Sequence, residues 1–329
     1  MSEERVLVTG ATGCIGSWVV RNLLQEGVAV VALTSSQRFG RLKLILTEAE
    51  FGAITFVTAD VTDITALESA ARQHHVNRII HLAGMQFPFC AADPIKGAAV
   101  NVGGTVTIFE LARRLGIQRL VYASSAAVYG PASHYQEAVL GPDAEFFPTS
   151  HYGVYKVANE QSARVYWHND GISSIGLRPH SVYGPGRDQG ATSKPTVAMI
   201  AAAAGRRYNI NFSGRYQFQF TDDAAKAFVR AVHAPFQGAA VYNIGGSVFG
   251  VDEIVNCIEA ADPTARGRIT VEDRAMVFPE AFDGRPIVEA LGAYAETPLQ
   301  EGVRRTVDSY RAALANGSLD ADYLDRVLA

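Results

Sequence analysis

Cysteine is scarce in this chain: Cys14, Cys90 and Cys257 are the only three, odd in number and without a C-x-x-C pair. Neither a disulfide framework nor a thiolate metal site follows from such spacing, so reduced thiols and no metal are expected. Apolar runs approaching the ~18 residues that span a bilayer are missing too. The opening MSEERVLVTG enters a strand almost at once and offers no basic and then apolar signal, which points to the cytoplasm and away from a membrane. Blocks of like charge are also absent. With 29 Lys and Arg against 33 Asp and Glu, the net charge of −4 makes neither nucleic acid nor an anionic membrane an expected partner. A small molecule is the expected one. Repeats and low-complexity tracts do not occur.

What is present is a soluble globular composition, 48% hydrophobic and 19% charged over 329 residues, enough for one large core or two coupled ones. Short β-branched runs read as strands: RVLVTG (5–10), VAVVALT (28–34), AITFVTAD (53–60), RIIHLAG (78–84), RLVYASS (119–125) and SIGLRP (174–179). Helix-length stretches at 14–26, 63–73, 93–115 and 151–169 alternate with them, the βαβ order of a parallel sheet buried on both faces. The expected class is α/β, a Rossmann-type doubly wound sheet with a smaller C-terminal substrate-binding region. Residues 1–178 form the dinucleotide-binding part, with 222–245 returning to it, and 179–221 with 246–329 form the substrate part. In the latter, a helix is expected after Thr221–Asp222–Asp223, a strand at AVYNIGG, and terminal helices near 286–292 and 298–315.

The segment LVTGATGCIGSW (7–18) sets Gly10, Gly13 and Gly16 three apart between strand and helix. A dinucleotide pyrophosphate rests on a helix N-terminus at such a place: the first glycine permits the turn, the second the approach of backbone N–H groups, the third close helix packing. Strand two ends in ALTSSQRFGR, where Thr34 stands in place of the acid that binds the ribose of NAD. Ser35, Ser36, Arg38 and Arg41 could host a 2′-phosphate, so the cofactor is NAD or NADP with a lean to NADP.

Tyr152 and Lys156, four apart at the start of a helix, share one face. A phenol with a pKa of about 10 is a poor base at neutral pH, and a fixed ammonium beside it would stabilise the phenolate. Ser125, just past the RLVYAS run, sets a hydroxyl at the carboxyl edge of the sheet, where open α/β sheets bind ligands.

These motifs together resemble the extended short-chain dehydrogenase/reductases, the NAD-dependent epimerase/dehydratase family, over essentially the whole chain. The matching pieces, in order, are GATGCIG, Asp60–Val61 in TADVTD, HLAG (81–84), Asn101 in NVGGT, SSAAVYG, YGVYK, LRPHSVYGPG and TDDAAKAF. The resemblance implies Tyr152 as acid/base, Lys156 as its partner and a ribose ligand, and Ser125 as the hydroxyl that orients the reacting oxygen. It implies a cofactor cradle of Gly10, Thr12, Gly13, Cys14, Ile15 and Gly16, with Thr34, Ser35 and Arg38 beyond strand two. Asp60 and Val61 would flank the adenine; Leu82, Ala83, Gly84, Asn101 and Ala123 would lie near the cofactor; Pro179 to Val182 would meet the carboxamide. The implied reaction is oxidation of a secondary carbinol to a transient ketone: re-reduced on its other face the ketone gives an epimer, and released it gives a net dehydrogenation. Dehydration is disfavoured, because Ala126 and Ala127 follow Ser125 where the dehydratase branch carries an acidic pair.

Three departures bear on the substrate. Relatives acting on nucleotide-diphosphate sugars carry an Asn where Ser181 stands, an Arg where Tyr216 stands, and an Arg-x-Gly-Asp stretch with no counterpart in AFDGRPIVEALG. The expected substrate is therefore a carbohydrate without a nucleotide diphosphate, contacted by Ser124, Ser125, His180, Ser181, Arg187, Tyr216 and Gln217. A UDP-hexose with a variant phosphate site, using Arg187, Lys194 or Arg206, is the alternative, and a non-catalytic dinucleotide sensor is the other. Strand alternation in YQFQF lets only one of its glutamines, or its aromatic set, face the pocket. A homodimer through the helices near 93–115 and 151–169 is expected, since VNVGGTVTIFELARRL is more apolar than one sheet-facing side requires.

Overall fold

A computed structural model describes residues 4–294 and 296–329; the first three residues of the opening segment lie outside it. The first part runs β1 (Arg5–Thr9), α1 (Cys14–Gln25), β2 (Ala29–Thr34), α2 (Gly40–Ile45), α3 (Glu48–Gly52), β3 (Thr55–Thr58), α4 (Ile64–Gln73), β4 (Arg78–His81), α5 (Phe87–Ala92), α6 (Pro94–Ala98), α7 (Gly104–Leu115) and β5 (Leu120–Ala123). It continues through β6 (Val139–Leu140), α8 (His151–Asp170), β7 (Ser174–Arg178), β8 (Ser181–Tyr183), α9 (Lys194–Ala203), β9 (Tyr208–Ile210), β10 (Arg215–Phe220), α10 (Thr221–His233) and β11 (Ala239–Asn243). The last elements are β12 (Ser247–Gly250), α11 (Val251–Ala261), β13 (Ile269–Val271), β14 (Ala281–Phe282), α12 (Arg285–Leu291), α13 (Leu299–Ala315) and α14 (Ala321–Leu328).

Seven strands form one parallel sheet in the order β11-β7-β5-β4-β1-β2-β3, so the six N-terminal runs and AVYNIGG all become sheet strands. Side chains alternate between two cores. Val6 and Val8 of β1 pack with α1 and α10 on one face, while Leu7 packs with α4, α7 and α8 on the other. Burial on both faces is why these strands read as continuous apolar runs. Chain order reverses between β1 and β4, the switch point at which an open sheet leaves a crevice beyond its carboxyl ends.

A second core gathers Tyr183, Phe212, Tyr216, Phe218, Phe220, Ile254 and Val303 around the short sheet β12-β10-β8. Trp18 of α1 ties this part to the first, its Nε1 donating to the Pro185 carbonyl at 3.0 Å, while Asn22 Nδ2 donates to Asp222 of α10 at 3.0 Å within the first.

Several elements differ from the sequence reading. The stretch 93–115 is helical as expected but not uniformly α: α6 and α7 are joined by a π-helical segment, Ala99–Gly103, in which Asn101 Nδ2 bonds the Gly97 carbonyl at 3.0 Å. Helices α2, α3, α5, α9, α11 and α14 have no counterpart in that reading; α2, α3 and α5 are 5 or 6 residues long, too short for a helical period to register. No helix among the described residues is long and apolar enough to cross a membrane.

Candidate active site

A cavity of about 820 Å³ opens beyond the carboxyl ends of β1, β2, β4, β5 and β7. One end is the glycine loop. Gly10 has φ +67°, and a Cβ on Gly16 would stand 2.1 Å from the Gly10 carbonyl oxygen, so neither tolerates a side chain. Gly13 is the N-cap of α1 and offers no side-chain cap, which leaves the first amides of the helix to a ligand. This cradle, which a Cβ would fill, fits a dinucleotide pyrophosphate.

Thr34 ends β2, its hydroxyl donating to the Ser36 carbonyl, with exposed Ser35 beside it. The Asp60 carboxylate accepts from the Thr62 amide and hydroxyl at 2.9 and 2.7 Å, bonds that hold it below its ordinary pKa. The residues Gly10, Thr12 to Gly16, Thr34, Ser35, Asp60, Val61, Leu82 to Gly84, Ala123 to Ser125, Tyr152, Lys156, Pro179 to Val182 and Arg187 all line this one cavity.

Tyr152 and Lys156 project from the first turns of α8. That helix starts where the Ser150 hydroxyl accepts from the Gly153 amide at 3.1 Å, and it ends at left-handed Gly171. Burial raises the Tyr152 pKa; the hydrogen-bonded Ser125 hydroxyl and then the Arg187 charge pull it back down. Lys156 stands beside Tyr152 on the same helix face. Its ammonium lies 5.5 Å from the Tyr152 ring centre but donates to the Ala123 carbonyl at 2.7 Å, and burial lowers its own pKa to about 8. Ser125 itself caps the 3₁₀ turn Ala126–Val128, accepting from the Ala127 amide at 3.1 Å.

Beside Ser125, the Ser124 hydroxyl is turned inward and donates to Glu160 at 2.5 Å, leaving Ser125 as the hydroxyl paired with Tyr152. His180 Nδ1 bonds the Gln217 carbonyl at 2.8 Å; a carbonyl only accepts, so Nδ1 carries the proton. Burial lowers the His180 pKa to about 4, and the neutral ring keeps Nε2 as an acceptor.

Of the residues expected at the site, Ser36, Arg38, Asn101, Tyr216 and Gln217 do not line the cavity, nor do Lys194 and Arg206 of the alternative phosphate site. Arg38 is exposed and away from it. Asn101 is fully buried behind Gly84, where a Cβ would meet its Oδ1 at 2.7 Å. Tyr216 points into the second core, its hydroxyl donating to the Ser213 carbonyl at 2.9 Å and accepting from the Met276 amide at 2.6 Å. Gln217 lies on a second cavity of about 570 Å³, bonding the Gly246 and Phe282 carbonyls at 2.9 and 3.1 Å. Gln219 shares its face, because residues two apart in a strand point the same way, and it accepts from the His180 amide at 3.0 Å. The glutamines therefore work as backbone braces, and the YQFQF aromatics serve the core.

Arg41 lines the cavity, but its Nη2 is 2.5 Å from Asp188 and its Nε 3.0 Å. Other wall residues escape sequence reading: Met85, Gln86, Phe87, Phe89, Lys96, Thr149, Gln189 to Thr192, Met276 and Phe278. Phe87 and Phe89 are 45% and 48% exposed at this wall. The QFPF run after HLAG is their one sequence signal.

A family model, "NAD dependent epimerase/dehydratase family", matches residues 6–245. A UDP-glucose 4-epimerase of Mycolicibacterium smegmatis is 31% identical over 320 residues, covering 93% of this chain and 98% of its own length. Among solved structures, the Thermus thermophilus UDP-glucose 4-epimerase in complex with NAD superposes with a TM-score of 0.80 at 25% identity, over 94% of this chain and 99% of that one. MoeE5 in complex with UDP-glucuronic acid and NAD superposes with a TM-score of 0.77 at 27% identity, over 94% and 99%.

Proposed function

The chain belongs to the NAD-dependent epimerase/dehydratase family, and from that premise we propose that it epimerises a carbohydrate lacking a nucleotide diphosphate, by oxidising one secondary carbinol and re-reducing the ketone in place. The observation that carries the chemistry is the convergence of Ser125 and Tyr152 on the cavity that begins at the glycine loop. Tyr152 takes the carbinol proton, and Ser125 holds the same oxygen through its hydroxyl. Lys156 supplies positive charge within reach of the developing phenolate, and the field of Arg187 adds to it. A bound NAD would supply the hydride acceptor and donor for this chemistry. Gly10 to Gly16 would hold its pyrophosphate, Asp60 and Val61 its adenine end, and Pro179 to Val182 its carboxamide. After Ser125 come Ala126 and Ala127, which offer no acid to expel a neighbouring hydroxyl.

NAD is the proposed choice over NADP. The lean to NADP rests on Arg38 and Arg41; the first is off the cavity and the second is committed to Asp188. The absence of a nucleotide diphosphate is supported by the two clamp positions. Ser181 is fully buried, and Tyr216 is turned into the core as a strut for Met276. With both positions lost, a diphosphate would meet Arg187 as the one guanidinium of the wall without a carboxylate among the described residues, too few charge-assisted partners to offset its desolvation, which costs roughly several kcal/mol.

A second reading, 4-epimerisation of a UDP-hexose through a variant phosphate site, is favoured by the relatives' names. A matched panel of UDP- and GDP-hexoses, free aldoses and aldonates, scored for epimer formation and for reduced-cofactor release, separates the two. Turnover of UDP-hexoses with free sugars inert overturns the first. Cofactor release without epimer identifies a net dehydrogenase.

Homodimerisation through the helices of 93–115 and 151–169 belongs to the same proposal, with α6 and α8 supplying the exposed apolar positions. In α7 the apolar side chains Ile108, Phe109, Leu111 and Ala112 are consumed within the subunit, but Ile95, Val154 and Val165 stay 86%, 49% and 56% exposed. Sedimentation at micromolar concentration giving a monomer mass would reject it.

A further inference from the structure

Arg187 sits in the segment following β8 and lines the cavity shared by the glycine loop and Tyr152. Its guanidinium has no carboxylate partner among the described residues: the adjacent Asp188 is taken by Arg41 and by the Tyr323 hydroxyl, at 2.5 and 3.2 Å. Only Nη2 makes a side-chain bond, a long one of 3.3 Å to the Thr192 hydroxyl, while Nε is buried with no acceptor. The loop is shaped around this group. Gly190, at φ +107°, passes so close that a Cβ there would stand 3.0 Å from Arg187 Nη2 and 2.9 Å from Gln86 Oε1, itself buried and unpartnered.

A guanidinium held in a wall without an anion is costly, because its desolvation is not offset by a charge-assisted bond. The other cations of the cavity are otherwise engaged or peripheral: Lys156 bonds the Ala123 carbonyl, Arg41 bonds Asp188, and Lys96 is exposed. Arg187 thus stands as one fixed positive charge whose field reaches both Cys14 in the glycine loop and the reacting Tyr152. One planar fork suits one carboxylate, by bidentate bonds. A phosphate monoester, carrying nearly two charges, would call for more cations than this wall offers.

We propose that Arg187 reads a carboxylate on the substrate, and that the carbohydrate handled here is a sugar acid whose acidic group sits within the Tyr152 cavity. This rests on the hydride-transfer reading above and narrows its substrate class.

The test uses the full-length, NAD-loaded protein as wild type, Arg187→Gln and Arg187→Lys. Calorimetry and turnover are measured with hexoses, the matching hexuronates and hexonates, and hexose 6-phosphates. The wild type should bind at least one acid roughly tenfold tighter than its neutral parent. Arg187→Gln should erase that preference and lower kcat/KM for the acid by ~10- to 100-fold, with Arg187→Lys between the two. The NAD Kd should stay within about twofold in all three, which also reports that each variant is folded. A loss of NAD affinity in Arg187→Gln, parallel to the loss of turnover, would overturn the proposal by giving the guanidinium to the cofactor phosphates. Preference for the 6-phosphates overturns the carboxylate. Neutral sugars turned over equally by wild type and Arg187→Gln overturn the subsite and leave the hydride-transfer reading standing. Inertness of every sugar in binding and turnover, with NAD bound, overturns both.

Discussion

Glu160 accepts the Nε and Nη2 protons of Arg178 at 2.8 and 2.7 Å, with the two side chains 0% and 1% exposed. The pair joins α8, which carries Tyr152 and Lys156, to β7, and the same carboxylate takes the hydroxyl of Ser124, the neighbour of Ser125. Arg178 also donates to the Tyr129 hydroxyl at 2.6 Å and the Pro142 carbonyl at 2.7 Å. Both sides of the Ser125 and Tyr152 contact are thus fixed to one buried carboxylate.

Removing one partner of such a pair leaves an uncompensated interior charge, so Glu160→Ala should lose about 3–5 kcal/mol of unfolding free energy. Denaturant unfolding of the cofactor-free protein measures it. A loss below about 1 kcal/mol would place the pair among the many ion pairs of little consequence.

Tyr152→Phe should lower kcat by ~10²–10⁴ while NAD binding is kept, since the phenyl ring retains the packing of the site and lacks only the proton acceptor. Near-normal turnover in a variant that still binds NAD would remove Tyr152 from the base role.

Lys156 makes stability depend on pH in a defined window. Burial depresses its pKa from the ordinary 10.5 to about 8, with Cys90 and Glu160 pulling the other way. Between those values the unfolded chain binds a proton that the folded chain does not, so stability rises with pH across the window and the burial penalty is fully present below about 8. A shift of this size corresponds to roughly 3 kcal/mol. Lys156→Met should flatten the slope and raise the Tm at neutral pH; an unchanged slope in pH-resolved unfolding would show that the ammonium is well solvated.

NAD should bind more tightly than NADP, and Arg41→Ala should leave their ratio unchanged, because that guanidinium already serves Asp188. Titration calorimetry with both cofactors decides the point. Tighter NADP binding that is lost in Arg41→Ala would show the ion pair opening to admit the 2′-phosphate.

The central sheet strands were legible because they are buried on both faces and write their full length in apolar letters, and the edge strands β3 and β11, less buried, still carry β-branched or aromatic runs. The glycine loop and Ser125 were legible because each follows directly on a strand end, and Tyr152 with Lys156 because a four-residue spacing sets both on one helix face. What stayed hidden depends on partners far along the chain or on choices of face. Nothing local announces that Arg41 will pair with a carboxylate 147 residues away. In β10, five of six residues are buried, so alternation could not say that Tyr216 would face the core and the glutamines the opposite side. Met276 and Phe278 reach the cavity from a stretch with no motif at all.

The Asp188 carboxylate is shared between Arg41 and the Tyr323 hydroxyl of α14, and the Gly186 amide donates to the Tyr310 hydroxyl at 3.0 Å. The wall segment that carries Arg187 is therefore fastened by the final residues of the chain. On the ribosome, Tyr323 is added roughly 135 residues after Asp188, a lag of about 7–27 s at ~5–20 residues per second. The seven-stranded sheet becomes complete in sequence at Asn243, roughly 55 residues into that interval, and over the remaining ~80 residues it can form with its glycine loop in place. The order of synthesis thus completes the sheet and the glycine loop before it supplies the residues that fasten the Arg187 wall.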